Sequence, residues 1–287
     1  MATAAIEEPP DRGVPIRGPS AVAGDFRRAL TLTVALAKND FKLRFFGSAL
    51  GYVWQLMRPL LLFGVLYIMF TEVVQFTDTP DFGVALLLGI VLYTFFAEAT
   101  GNAVSCVMVR ENLVRKIHFP RLVIPMSVVL VACFNLALNM VVVVIFATLS
   151  GVTPTPAWLG VIPLLALLVV FSAGLAMLLS ALYVRYRDVE PIWDVVLQVT
   201  FYASLILVPY EAVRQRSEGL ASALTANPLA TVVQESRHLM ISPEYVSSGH
   251  AIGGTTLLII PLAIVAGTFA LGLRVFNREA PRIAEEL

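Results

Sequence analysis

Six stretches of this chain are apolar for long enough to cross a bilayer, at residues 53–70, 82–107, 122–149, 158–183, 192–208 and 253–275. A helix needs about 20 such residues to cover the hydrocarbon core. The fifth stretch is the shortest and carries Asp194 and Gln198 near its start. Pro125, Pro163, Pro191 and Pro261 fall near the ends of stretches, where a missing N–H costs least. The pattern predicts an all-α membrane protein with six transmembrane helices.

Two further segments are helical in pattern but do not cross. In residues 25–46, Phe26, Leu30, Val34, Ala37, Phe41 and Phe45 recur at helical spacing. Arg27, Arg28, Lys38, Asp40, Lys42 and Arg44 lie between them. This predicts an N-terminal amphipathic interface helix with its cations near anionic lipid headgroups. Gly47, Ser48 and Gly51 mark the bend into the first span. Residues 210–250 begin polar and turn semi-apolar around Asn227-Pro228-Leu229 to Met240, too short and too charged to cross. They predict short re-entrant helices between spans five and six, entering from the outer side.

Composition agrees with the pattern. The chain is 58% hydrophobic and 14% charged, with a mean hydropathy of +0.81. A soluble domain is about 45–50% apolar and about 25% charged. Net charge is zero, so only the placement of charges is informative. With both termini cytoplasmic, 17 of the 20 basic residues fall on the inner side; Arg214, Arg216 and Arg237 alone fall outside. That bias fixes the expected orientation. Residues 1–24 hold Glu7, Glu8 and Asp11 and no apolar signal core, and are read as a disordered cytoplasmic tail. Residues 25–276 form the membrane domain, and 277–287 a second cytoplasmic tail.

A basic, polar island lies in residues 108–121, between two long apolar stretches. From Arg110 to Arg121, four of twelve residues are Arg or Lys. This island is long enough for a short helix that a soluble partner could grip.

Enzyme motifs are absent. The chain contains no GxxxxGK[ST], HExxH, GxSxG or GxGxxG, so catalytic residues are none and nucleotide is not bound through a P-loop. His118, His238 and His250 are scattered, Cys106 and Cys133 have no metal spacing, and the metal assignment is none. Glu98, with Asn102 one turn on, is the one carboxylate well inside a span. It reads either as a hydrogen-bonded residue of the bundle interior or as a transport group. Asn135 and Asn139 are read as glue between helices. An ion gradient or a separate ATPase must then supply any energy.

Phe46-Gly47-Ser48-Ala49-Leu50-Gly51-Tyr52-Val53-Trp54-Gln55-Leu56-Met57-Arg58-Pro59-Leu60 resembles the start of the polysaccharide-export type of ABC transporter permease. Glu111-Asn112 through Lys116, with Phe119-Pro120-Arg121, resembles the first cytoplasmic loop of that family. Arg185-Tyr186-Arg187-Asp188-Val189 and Asn227-Pro228-Leu229 resemble two later motifs, in order. The resemblance implies a half-transporter: a homodimer that docks two copies of a separate ATPase and exports a lipid-linked polysaccharide of O-antigen, capsule, teichoic acid or cell-wall galactan type. ATP and Mg would sit on the partner, no cofactor on this chain, and nucleic acid is not a partner. The location implied is the bacterial inner (plasma) membrane.

The island then becomes a coupling helix formed by Arg110, Glu111, Asn112, Arg115, Lys116, His118, Phe119 and Pro120. Its charges offer contacts to a soluble surface, Phe119 an apolar anchor and Pro120 a stop. Candidate channel-lining residues are Tyr93, Phe95, Phe96, Glu98, Trp54, Phe201 and Tyr202, since aromatic rings stack on sugars. Interfacial belt and core packing are competing roles for each ring. The Ala- and Val-rich composition would suit a high-GC bacterium, and a mycobacterial-type galactan exporter is one reading among several. A drug or lipid exporter of the same architecture, and a gradient-driven carrier without ATPase, are the alternatives.

Overall fold

The computed structural model describes residues 26–45, 49–74, 81–111, 120–208 and 210–279. Every regular element among them is a helix. Helix α1 is Phe26–Phe45. It is followed by α2, Ala49–Ile68, which runs on as a wider-wound turn over Met69–Val73. Next come α3, Phe82–Val104, and the short α4, Cys106–Val109, separated by a break at Ser105. Helix α5 is Val123–Leu149, and α6 is Val161–Arg185 with a tight lead-in turn at Pro156–Gly160. Helix α7 is Val189–Ala203. Four short helices follow: α8 Tyr210–Arg216, α9 Glu218–Thr225, α10 Pro228–Met240 and α11 Ser248–Ile252. Helix α12, Ile259–Glu279, ends the described chain, so the expected 277–287 tail begins as helix.

Among the described residues, five helices are long and apolar enough to cross a membrane. They answer to the first, second, third, fourth and sixth stretches. The fifth is different. Helix α7 starts three residues before residue 192 and stops at Ala203, after 15 residues. At 1.5 Å per residue that is about 22 Å, short of the roughly 30 Å of a hydrocarbon core. Beyond it the chain leaves the helix, and Leu205 takes a left-handed φ of 55°. Leu205 and Ile206 are nonetheless buried.

Helix α3 is the centre of the bundle. Leu86, Leu87, Leu88, Ile90 and Leu92 are fully enclosed, although a helix with one buried face would expose two of those five. It packs against α2, α5, α6 and α7. The polar groups of such helices are met internally, as a bilayer requires. Thr94 and Thr100 donate their hydroxyls to the carbonyls of Ile90 and Phe96, one turn back.

Helices α6 and α12 form the most extensive helix pair. They meet at two glycines. A Cβ at Gly272 would lie 2.1 Å from the carbonyl oxygen of Gly174, and one at Gly174 would lie 2.7 Å from the Cα of Phe269. Small residues let two backbones approach where hydrophobic drive between helices is weak.

Helix α2 is peripheral, with Val53, Trp54, Val65 and Ile68 exposed. Pro59 lies inside it rather than opening it, which leaves the carbonyl of Gln55 without its helical partner. Gly51, expected at a bend, is within the same helix; Gly47 and Ser48 lie outside the described residues.

Candidate functional site

Of the coupling island, Arg110, Glu111 and Pro120 are described; Asn112, Arg115, Lys116, His118 and Phe119 lie outside the described residues. Arg110 is the structural anchor. Its guanidinium pairs with the carboxylate of Asp40 on α1 and donates from Nη1 to Ser127 Oγ at 2.8 Å on α5. Ser127 in turn donates to the carbonyl of Ile124 at 2.8 Å. The island's first residue therefore ties α1 to α5. Asp40 had been one charge among several in the sequence. Phe41 adds an edge-on contact to Phe134 with ring centres 5.5 Å apart. Arg27, Arg28, Lys38 and Lys42 are exposed, while Ala37 between them is fully buried, as the amphipathic pattern requires. Arg44 is in the last turn of α1.

A cavity of about 330 Å³ opens beside this anchor. Asp40, Arg110, Asn102, Ser105 and Glu190 contribute its polar lining, and Val128 and Val131 close its back.

The candidate lining residues divide. Phe95 and Phe96 are inside the subunit, and Phe96 stacks on Phe171 with ring centres 5.6 Å apart. The hydroxyl of Tyr93 donates to the carbonyl of Leu197 at 2.9 Å, and its ring lies 4.8 Å from that of Phe201. These groups bind α3 to α7. Trp54 and Tyr202 are 69% and 71% exposed, on α2 and α7. Glu98 receives Asn135 Nδ2 at 2.7 Å and Gln55 Nε2 at 3.3 Å. One carboxylate thus joins α2, α3 and α5, which fits the hydrogen-bonded interior role.

At the other end, the short helices α8 to α11 interlock. Asn227 caps α10 by accepting from Leu229 N–H at 3.1 Å, with Pro228 at the first helical position. Tyr210 and Ser222 both donate to the carbonyl of Ala251 at 3.1 Å. Helix α10 packs against α3 and α6 and is buried along most of its length.

Arg237, counted in the sequence only as one of three basic residues of the outer segment, is a buried residue of α10. It is 3% exposed. Its guanidinium donates to the carbonyls of Leu205 at 2.7 Å, Ile206 at 3.0 Å and Ala85 at 3.3 Å. The sequence offered little signal, since Arg237 stands among Gln234, Glu235, Ser236 and His238 in 228–240.

Among the described residues, no group of three His, Cys, Asp or Glu is placed to hold a metal ion.

The profile of the ABC-2 type transporter family matches residues 31–241, from α1 through the end of α10. The chain belongs to the ABC-2 type transporter family. It is 30% identical over 261 residues to the O-antigen export system permease protein RfbA of Klebsiella pneumoniae, covering 89% of this chain and 95% of that one. A protein of the same name from Myxococcus xanthus is 28% identical over 204 residues, 70% of this chain and 77% of its own. The polysialic acid transport protein KpsM of Escherichia coli is 24% identical over 227 residues, 75% and 83% of the two chains. As an ABC-2 family member this chain is a multi-pass membrane protein and a permease. The family match includes the Arg110 anchor, the Glu98 junction and the Arg237 clamp.

Proposed function

We propose that this chain is the transmembrane half of an ATP-driven exporter of a lipid-linked polysaccharide. The observation that carries the reading is the match, over 89% of the chain, to an O-antigen export permease. Two copies would form the path, and each would dock one separate ATPase subunit that holds ATP and Mg. The protein would lie in the bacterial inner membrane with both termini cytoplasmic, as the distribution of basic residues supports.

Six crossings complete this topology. Helix α7 and residues 204–208 together make the fifth, with Arg237 satisfying carbonyls that have left the helix. Non-helical backbone at membrane depth is tolerated only where protein or water meets its polar groups. Helices α8 to α11 then form the outer gate segment, dipping part-way in.

Coupling starts at the island. Glu111, Arg115 and Lys116 meet the ATPase surface, and Arg110 passes its movement to α1 through Asp40 and to α5 through Ser127. The cations of α1 hold lipid phosphates.

Depletion of the protein tests the reading. The expected result is a lipid-linked glycan accumulating on the inner side of the membrane while its surface form disappears. Unchanged glycan with new drug sensitivity would replace this reading with a drug or lipid exporter.

A further inference from the structure

Helices α1, α3, α4, α5 and α7 all contribute to the cavity of about 330 Å³ beside Arg110. That volume is within the range of pockets that take small ligands, about 300 Å³ upward. Val128 and Val131 give it an apolar wall, and the rest of its lining is largely polar.

Much of the polar lining is uncommitted. Ser105 precedes α4 without capping it, and its side chain makes no cap hydrogen bond. Among the described residues, the side chains of Asn102 and Glu190 have no hydrogen-bond or ion-pair partner either. Arg110 spends one N–H on Asp40 and one on Ser127, which leaves three of the five donors of a guanidinium. Free donors from Arg110, Asn102 and Ser105 therefore line the same space as the free carboxylate of Glu190.

The charges narrow the ligand. Asp40 and Glu190 carry one negative charge each and Arg110 one positive, so the lining is net negative by one. A purely anionic ligand is opposed by that balance. A ligand with both signs is matched, its phosphate taking donors from Arg110, Asn102 and Ser105 and its ammonium meeting Glu190. A primary ammonium offers three N–H donors to carboxylates. A quaternary ammonium offers none and is held by aromatic faces. No aromatic ring is among the described residues that line the cavity.

The position of the cavity names the source. Asp40 belongs to α1, whose Lys38 and Lys42 are exposed while Ala37 is buried. An amphipathic helix of this kind lies at the level of the lipid headgroups. A cavity lined by its inner face opens at that level.

We propose that this cavity binds the headgroup of a phospholipid bearing a primary amine, of the phosphoethanolamine type. The bound headgroup joins Glu190, at the start of α7, to the Arg110 anchor between α1 and α5. This site is independent of what the permease carries.

The test is native mass spectrometry of the full chain with its own ATPase, released from micelles holding equimolar phosphatidylethanolamine, phosphatidylcholine and phosphatidylglycerol of matched acyl chains. The expected result is about a tenfold excess of the ethanolamine lipid among bound lipids, which is one charge-assisted contact. Glu190→Gln should bring the three lipids to within about twofold of one another, in a complex of unchanged composition, because Glu190 is exposed and its loss leaves the fold intact. Equal retention of the three lipids by the unaltered protein, or an undiminished preference in Glu190→Gln, overturns the site. Free O-phosphoethanolamine is the second arm. It should fail to displace the lipid at matched concentration, and displacement there would overturn the lipid as the source in favour of a soluble phosphoamine.

Discussion

The guanidinium of Arg237 donates to the carbonyl of Leu205 across 2.7 Å, and Leu205 is one of two non-glycine residues among those described that adopt a left-handed backbone. The two facts belong together. A left-handed residue breaks the helix and turns carbonyls out of it, here in the buried interior of the protein where water is scarce. A buried guanidinium, with five donors in a planar fork, meets them. The same fork reaches Ala85 on α3. Arg237 therefore joins the end of α7, the central helix and α10 at one point.

Replacing Arg237 with Ala should strand the buried carbonyls of Leu205 and Ile206, remove the added contact to Ala85, and lower stability by about 3 kcal/mol. Arg237→Lys keeps the charge but not the fork, and should fall between. Thermal unfolding of the purified protein in detergent reads this. A melting temperature unchanged in Arg237→Ala would show that the clamp contributes nothing.

The α6–α12 contact gives a sharper contrast. Gly272→Ala places a Cβ 2.1 Å from the Gly174 carbonyl oxygen, whereas nothing lies within 4 Å of a Cβ at Gly267 on the same helix. Gly272→Ala should destabilise by about 2 kcal/mol or more. Gly267→Ala should stay within about 0.5 kcal/mol. Equal melting temperatures for the two variants would refute the close approach.

Asp40 and Arg110 should show coupling in a double-mutant cycle on stability. Their side chains are 26% and 20% exposed, so screening reduces the pair to about 1 kcal/mol. That coupling should shrink in high salt. Additive single effects would mean that α1 is held by packing alone.

Charge reversal of Glu111, Arg115 and Lys116 together should reduce the ATPase recovered with the permease by about tenfold, without reducing permease abundance. Recovery of the full complex from the triple variant would remove the island from the docking surface.

Single cysteines test the six-crossing topology in a background lacking Cys106 and Cys133. A cysteine at Arg216 should react with an impermeant thiol reagent added to whole cells, and one at Arg187 should react only after lysis. Labelling of Arg187→Cys in whole cells would overturn the orientation.

Much of the fold was legible in the chain. The apolar stretches placed α2, α3, α5, α6 and α12 within a few residues, because hydrocarbon imposes length and internal hydrogen bonding on each span separately. The alternation of Phe and cation in α1 was equally local. The extent of α7 was not, since the apolar run to Val208 continues past a helix that stops at Ala203.

The sequence by itself determined the class of the protein, its long apolar helices, the uneven distribution of its basic residues and its membership in a transporter family. The first three follow from composition and spacing along the chain, and the family from four motifs in order and the match over residues 31–241. Only the tertiary structure decided that Phe96 packs on Phe171, that Glu98 gathers Gln55 and Asn135, and that Arg237 is a clamp. Those relations depend on how each helix is rotated and docked, and rotation is set by residues 31 to 152 positions apart in the chain. Arg237 and Ala85 are separated by 152 residues and meet at 3.3 Å.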